Sequence, residues 1–211
     1  MKCSLCKQRT AKRHCPSVRK YICAICCGTE REVSLDCPLD CVYLQEAYRH
    51  EMERAEPPKE PPYAAHQVPD EFLREKEPFI GSMALTLLRY SLANPGVWDA
   101  DLRAVLDALV RTYETLSSGL LYETLPEGPL RVSLYRELQK FVEEWREEEE
   151  KKAAFSLTQD GDVLRSLVFL GRLAQAHNNQ RPRGRSFVAF LRRTFPEVVA
   201  RQSRSLIIPG R

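Results

Sequence analysis

The sequence predicts an all-α helical bundle preceded by a small cysteine-rich module, and three observations lead there. All eight cysteines fall between positions 3 and 41, with none in the 170 residues that follow. A proline-dense stretch, "PPKEPPYAAHQVP", separates that segment from the rest. Beyond it, apolar residues recur at steps of three and four, and no segment sustains the alternation of a half-buried strand. The expected division is a module over 1–56 ending in a helix, a Pro-rich linker over 57–69, and a helical domain over 70–211 with a basic C-terminal region.

A chain of 211 residues supports one sizeable core and an accessory module. It is 43% hydrophobic and 29% charged, and it has no apolar run near the roughly 18 residues of a membrane span, so no membrane association is expected. The opening "MKCSLCKQRTAKRHC" lacks the apolar centre of a secretory signal, which points to the cytoplasm. Thiols there stay reduced, so clustered cysteines point to metal and not to disulfides.

The cysteines run Cys3-x2-Cys6, Cys15, Cys23-x2-Cys26, Cys27, Cys37-x3-Cys41. A C-x2-C turn lets two thiolates converge on one zinc, and two such turns complete a tetrahedral shell with Zn–S bonds of about 2.3 Å. Cys3, Cys6, Cys23 and Cys26 therefore make a first site. Cys15, Cys27, Cys37 and Cys41 remain, the number a second closed site requires. Neighbouring side chains of an extended or turning backbone diverge, so Cys26 and Cys27 are suited to serve different metals. The two sites then interleave along the chain, and folding of the module should depend on two structural Zn2+. His14 and His50 are alternative ligands that spacing alone leaves open.

Pro38 suits a first helical position, and the residues after it continue helically, placing Cys37 at the cap of a helix and Cys41 in its first turn. A knuckle followed by a ligand-bearing helix start is a treble-clef-like arrangement. The pattern "CSLC...C...CAICC...CPLDC", with Tyr48 and His50 downstream, resembles the two-zinc cross-brace modules of the zinc-HIT, MYND and B-box kind over about the first 50 residues. Those families usually supply a histidine ligand near the end, whereas eight cysteines suffice here. "ICxxCCGTxRE...CPxxCxYL" also resembles bacterial cysteine-rich proteins to which no activity attaches. The resemblance implies an interaction module.

In the helical domain, Phe79, Met83, Leu87 and Tyr90 form one stripe. Trp98, Leu102, Val105, Leu109, Tyr113 and Leu116 form a second, and Leu130, Leu134, Leu138, Phe141 and Trp145 a third. "NPG" at 94–96 and "LPEGP" at 125–129 break them. A fourth helix is expected over about 162–178 and a fifth over 185–195, stopped by Pro196. "TQDGD" at 158–162 reads as a helix cap, since it lacks the ligand ladder of a calcium loop.

The sequence offers no G-x-S-x-G, H-E-x-x-H or phosphate-cradling glycine loop, so no enzyme is expected. The carboxylates of "EEWREEEEKK" read as a solvated helix face, and a hidden active site would need a polar cavity near His177 or Glu144. Four-thiolate zinc keeps no open position, which leaves release of metal on oxidation as a redox-sensing alternative.

The formal charge of +3 falls to about −1 once eight thiolates and two Zn2+ are counted, so global charge says nothing of nucleic acid. Local charge says more. Residues 1–31 hold eight Lys and Arg against Glu30, and residues 181–211 hold Arg181, Arg183, Arg185, Arg192, Arg193, Arg201, Arg204 and Arg211 against Glu197. Arg181, Arg183, Arg185, Arg192 and Arg193 are the anion-binding candidates, because guanidinium forks suit phosphate. The expected function is a non-enzymatic zinc-binding adaptor or regulator recognising a protein partner, with nucleic-acid backbone binding through 1–31 and 181–211 as the alternative.

Overall fold

Two short strands and a succession of helices make up the described residues, 1–54, 60–153 and 155–198, of this computed structural model. The N-terminal module holds β1 (Arg13–Cys15), β2 (Lys20–Ile22), α1 (Ala24–Glu30) and α2 (Val42–Arg54). The helical domain holds α3 (Asp70–Glu75), α4 (Glu77–Ala93), α5 (Asp99–Ser117), α6 (Pro129–Ala153), α7 (Asp160–Ala176) and α8 (Ser186–Thr194). Residues 55 and 56 of the expected module, 57–59 of the expected linker, and Arg201, Arg204 and Arg211 lie outside the described residues.

The mostly helical fold class follows from the stripes. α5 buries Leu102, Val105, Leu106, Leu109 and Val110, and it is packed by α6, α7 and α8. α4 adds Phe79, Met83 and Leu87, and α7 adds Leu164, Leu167, Val168 and Leu170. Each such side chain contributes about 1.5–3 kcal/mol on full burial. Phe79, Phe141 and Trp145 form an aromatic cluster, with Phe79 centroids 5.6 and 5.3 Å from the other two. Two stripe residues depart from the expected core. Trp98 is half-buried as the N-cap of α5, just before the helix, and Leu130 is 41% exposed in the first turn of α6.

α7 begins at Asp160, two residues before the expected start, because Asp162 accepts the Gln159 N–H at 3.1 Å and closes a cap. Glu149, expected on a solvated face, accepts the Thr158 N–H at 2.8 Å and Oγ1–H at 2.9 Å, pinning the connection into α7. The described part of the Pro-rich stretch, residues 60–69, lies against the bundle and is not a free spacer. Arg172 donates to the carbonyls of Pro62, Tyr63 and His66 at 3.0, 3.0 and 2.6 Å. Gly171 admits this contact, since a Cβ there would stand 2.7 Å from the Tyr63 ring.

Glu32, just past α1, has a left-handed φ of 52° and is 1% exposed. Such a backbone conformation is uncommon for a residue with a Cβ, and the surroundings must hold it. They do so through its carboxylate, which accepts from Tyr48 Oη of α2, from Asn179 Nδ2 at 2.7 Å and from the Arg185 N–H at 2.8 Å. The Glu32 carbonyl accepts the Arg183 N–H at 2.9 Å. The module is thereby joined to the α7–α8 loop. Gly184 lets that loop turn, because a Cβ would fall 2.4 Å from Asn179 Oδ1.

Asp99 completes the junction. It is 2% exposed and its carboxylate accepts the Phe187 and Val188 N–H groups at 2.8 and 3.2 Å, capping α8 from another helix. Burial pushes its pKa up from 3.8 to about 7, against the pull of those two N–H groups. Between these values the folded chain holds a proton that the unfolded chain has released, so its contribution to stability falls as pH climbs through the window. Thermal unfolding from pH 5 to 7.5 at fixed excess zinc should show wild type losing a few kcal/mol relative to Asp99→Asn across that range. A difference that stays constant with pH would contradict this assignment.

Candidate metal centre

The first C-x2-C turn is a backbone knuckle. Lys7 takes a φ of 56° and its N–H donates to the Cys3 carbonyl at 2.8 Å, folding Cys3 and Cys6 toward one point. The chain then enters the β1–β2 hairpin, antiparallel with Arg13 opposite Ile22 and Cys15 opposite Lys20. The hairpin delivers Cys23 to the N-cap of α1, where its sulfur accepts the Cys26 N–H at 3.4 Å. Knuckle, hairpin and helix start thus meet at one place.

There the sulfurs of Cys3, Cys6, Cys23 and Cys26 lie within 4.8 Å of one another. Bonds of about 2.3 Å to a tetrahedral Zn2+ would draw them to roughly 3.8 Å apart, a contraction within reach of side-chain rotation. The donor set fits a single metal ion. Burial opposes ionisation of Cys3, yet N–H groups of Cys6, Cys23 and Leu5 outweigh it and lower its pKa to about 6. N–H groups of Arg9 and Gln8 likewise lower Cys6. Cys26 holds its proton instead, pushed up to about 12 by its hydrogen bond to Cys23 and by burial. A cation is the natural replacement for a proton shared among crowded thiols.

The other four cysteines are also brought together, more loosely. Cys15, Cys27, Cys37 and Cys41 border one cavity of about 10 Å³, room for one water-sized atom, with Arg13, Leu35 and Leu44. Burial, joined by the charges of Glu32, Cys15 and Cys41, pushes Cys37 up to about 11 despite the opposing Glu32 N–H. Among the described residues only the Cys3 set closes to within 4.8 Å.

Cys26 and Cys27 diverge as expected, for a different reason. They are consecutive residues of α1, and the step of about 100° per residue turns them to different sides. The helix start that carries residues of the Cys3 set is α1, with Cys23 at its N-cap. α2 begins only at Val42, and Cys41 precedes it, its carbonyl accepting the Leu44 and Gln45 N–H groups at 3.0 Å each. His14 is exposed, edge-on to Tyr21 at 5.4 Å, and borders the second cavity. His50 is exposed on α2, 3.4 Å from Glu53.

The five candidate anion-binding arginines do not form one site. Arg181 Nη1 donates to the carbonyls of Gly28 and Arg31 at 3.2 and 2.6 Å, and Arg183 Nη1 to that of Ser34 at 3.1 Å. The Arg185 guanidinium donates to the Pro95 carbonyl and lies 4.4 Å over the Trp98 ring. The first two forks hold the module to the bundle, and the Arg185 fork reaches the module only through Asp36, 3.8 Å away. Arg192 and Arg193 stand apart at the end of α8.

No protein-family model, curated protein or solved structure matches the chain. No helix among the described residues is long and apolar enough to cross a membrane. His177 and Glu144 are not brought together: His177 is buried, stacked on Phe190 at 4.2 Å, while Glu144 is exposed and 3.6 Å from Lys140. Sequence reasoning missed the β1–β2 hairpin, Glu32, and an apolar tip at 120–125. The run "GLLYETL" was the available signal for the last.

The Cys3 set makes a direct prediction. Cys6→Ser should lower bound zinc by one ion per chain by native mass spectrometry, and zinc affinity of the wild type should fall on acidification because Cys26 must give up its proton. An unchanged metal count in Cys6→Ser would exclude this ligand set.

Proposed function

We propose that this chain is a non-enzymatic adaptor in which two structural zinc ions shape an N-terminal module and the bundle presents a surface to another protein. Support for the second ion comes from the common cavity of Cys15, Cys27, Cys37 and Cys41. Shells of four thiolates leave no position for water or substrate, so the metal serves shape and not turnover.

The observation that carries protein recognition is the tip between α5 and α6. Leu120, Leu121, Tyr122 and Leu125 are 62%, 94%, 67% and 48% exposed. The tip is anchored at its base: Thr115 Oγ1 donates to the Tyr122 carbonyl at 2.8 Å, and the Thr124 N–H donates to Thr112 Oγ1 at 2.9 Å. Clustered apolar side chains held in water by a pinned backbone are the mark of a contact surface. Covering them regains about 25 cal/mol per Å² of apolar surface.

A second reading, nucleic-acid backbone binding, draws on the module, where Lys2, Lys7, Arg9, Lys12, Arg19 and Lys20 are all exposed. It requires affinity that falls steeply with salt.

The adaptor reading predicts two zinc ions per chain, with Cys27→Ser losing the ion of Cys15, Cys37 and Cys41 while the Cys3 set keeps its own. It predicts that a crosslinked partner recovered by wild type is lost on Leu120→Ser/Leu121→Ser/Tyr122→Ser, a triple variant whose thermal midpoint should not move. One zinc in wild type would contradict the metal assignment. Partner capture unaffected by the triple variant, or retardation of an oligonucleotide at low salt as the only interaction found, would contradict the protein assignment.

A further inference from the structure

Where the module meets the bundle, α2 and α8 enclose an open groove of about 610 Å³. Three guanidinium groups border it: Arg49 from α2, and Arg192 and Arg193 from α8. Among the described residues none of the three has a carboxylate within 4.0 Å, whereas Arg181 and Arg185 each have one. Glu53 is the single acidic residue at the rim, and it lies 3.4 Å from His50. The same groove carries apolar surface, from Leu39, Met52 and Pro196.

Three cationic forks beside an apolar floor define the chemistry of what fits. Guanidinium forks accept carboxylates in paired hydrogen bonds, and the groove lies outside the core, so such pairs form without burying a lone charge. A nucleic acid held without base reading would favour a longer basic track or aromatic rings for stacking. The aromatic residue at the groove, Tyr48, is 2% exposed and donates to Glu32.

We infer that this groove binds an acidic segment of a partner protein, its carboxylates on Arg49, Arg192 and Arg193 and a neighbouring apolar side chain against Leu39 and Met52. This rests on the adaptor reading and names a second contact beside the apolar tip. One wall belongs to the cysteine-rich module and the other to the bundle, so the groove exists only while the two are joined. Binding therefore depends on zinc although no metal touches the ligand.

The test is fluorescence anisotropy of the full, zinc-loaded chain with a labelled peptide of Glu-Glu-Leu repeats. The expected result is saturable binding, weakened at least tenfold in Arg49→Glu/Arg193→Glu and abolished by chelation, with the thermal midpoint of the exposed-residue variant unchanged. A Lys-Lys-Leu peptide should not bind, and Leu121→Ser should bind the acidic peptide as wild type does. Equal binding by the double variant, no binding by wild type, or a labelled single-stranded oligonucleotide displacing the peptide through the same arginines would overturn the inference. If the peptide fails while partner capture still depends on the tip, the groove falls and the adaptor reading stands.

Discussion

A carboxylate buried between two structural units is costly unless donors meet it, and Glu32 is met by three, one from α2 and two from the α7–α8 loop. Tyr48 approaches from α2, Asn179 from the α7–α8 loop, and the Arg185 N–H from the end of that loop at the cap of α8. Burial raises the pKa of Glu32 against the pull of those bonds. An unmade bond to such a buried group costs about 1–3 kcal/mol. The turn at Glu32 and the α7–α8 loop also carry local bonds, such as Leu35 N–H to the Glu30 carbonyl and Gly184 N–H to the Arg181 carbonyl, and the Glu32 carboxylate joins the two.

The thiolate cluster acts upstream of this contact. Cys23 and Cys26 set the start of α1, α1 is only seven residues long, and Glu32 follows its end by two positions. An isolated helix of that length would be marginal in water. Its direction is set instead by the cysteines at its start and by the Arg181 guanidinium on the Gly28 and Arg31 carbonyls at its end. The Cys3 set, a short helix and a buried carboxylate thus form one chain of contacts, from the knuckle at Cys3 to the α7–α8 loop.

What could be read in advance follows from range in sequence. The stripes of α4, α5 and α7 are local periodicities, and the four cysteines of the first site announce themselves by spacing. The role of "NNQRPRGRSF" was illegible because a guanidinium looks the same whether it meets a phosphate or a backbone carbonyl 150 residues away, as Arg181 does with Arg31. Glu32 gave no sign either, since a single glutamate after a short helix ordinarily faces water. The strands β1 and β2, three residues each, are too short to show alternation and are fixed by the cysteines flanking them. Proline density correctly marked a break in helix, yet residues 60–69 gain their order from Arg172, which lies over a hundred positions away.

The proposed dependence of the junction on metal at the Cys3 set is tested most directly by hydrogen exchange at single amides, with and without a chelator. Among the described residues the Arg183 and Arg185 N–H groups are bonded only across the junction, to Glu32. On chelation their exchange should accelerate together with that of Cys27, while the α5 amides of Leu106 to Val110 stay protected. Arg183 and Arg185 remaining protected after the Cys27 amide has opened would show that the junction stands without the metal, and would contradict the account.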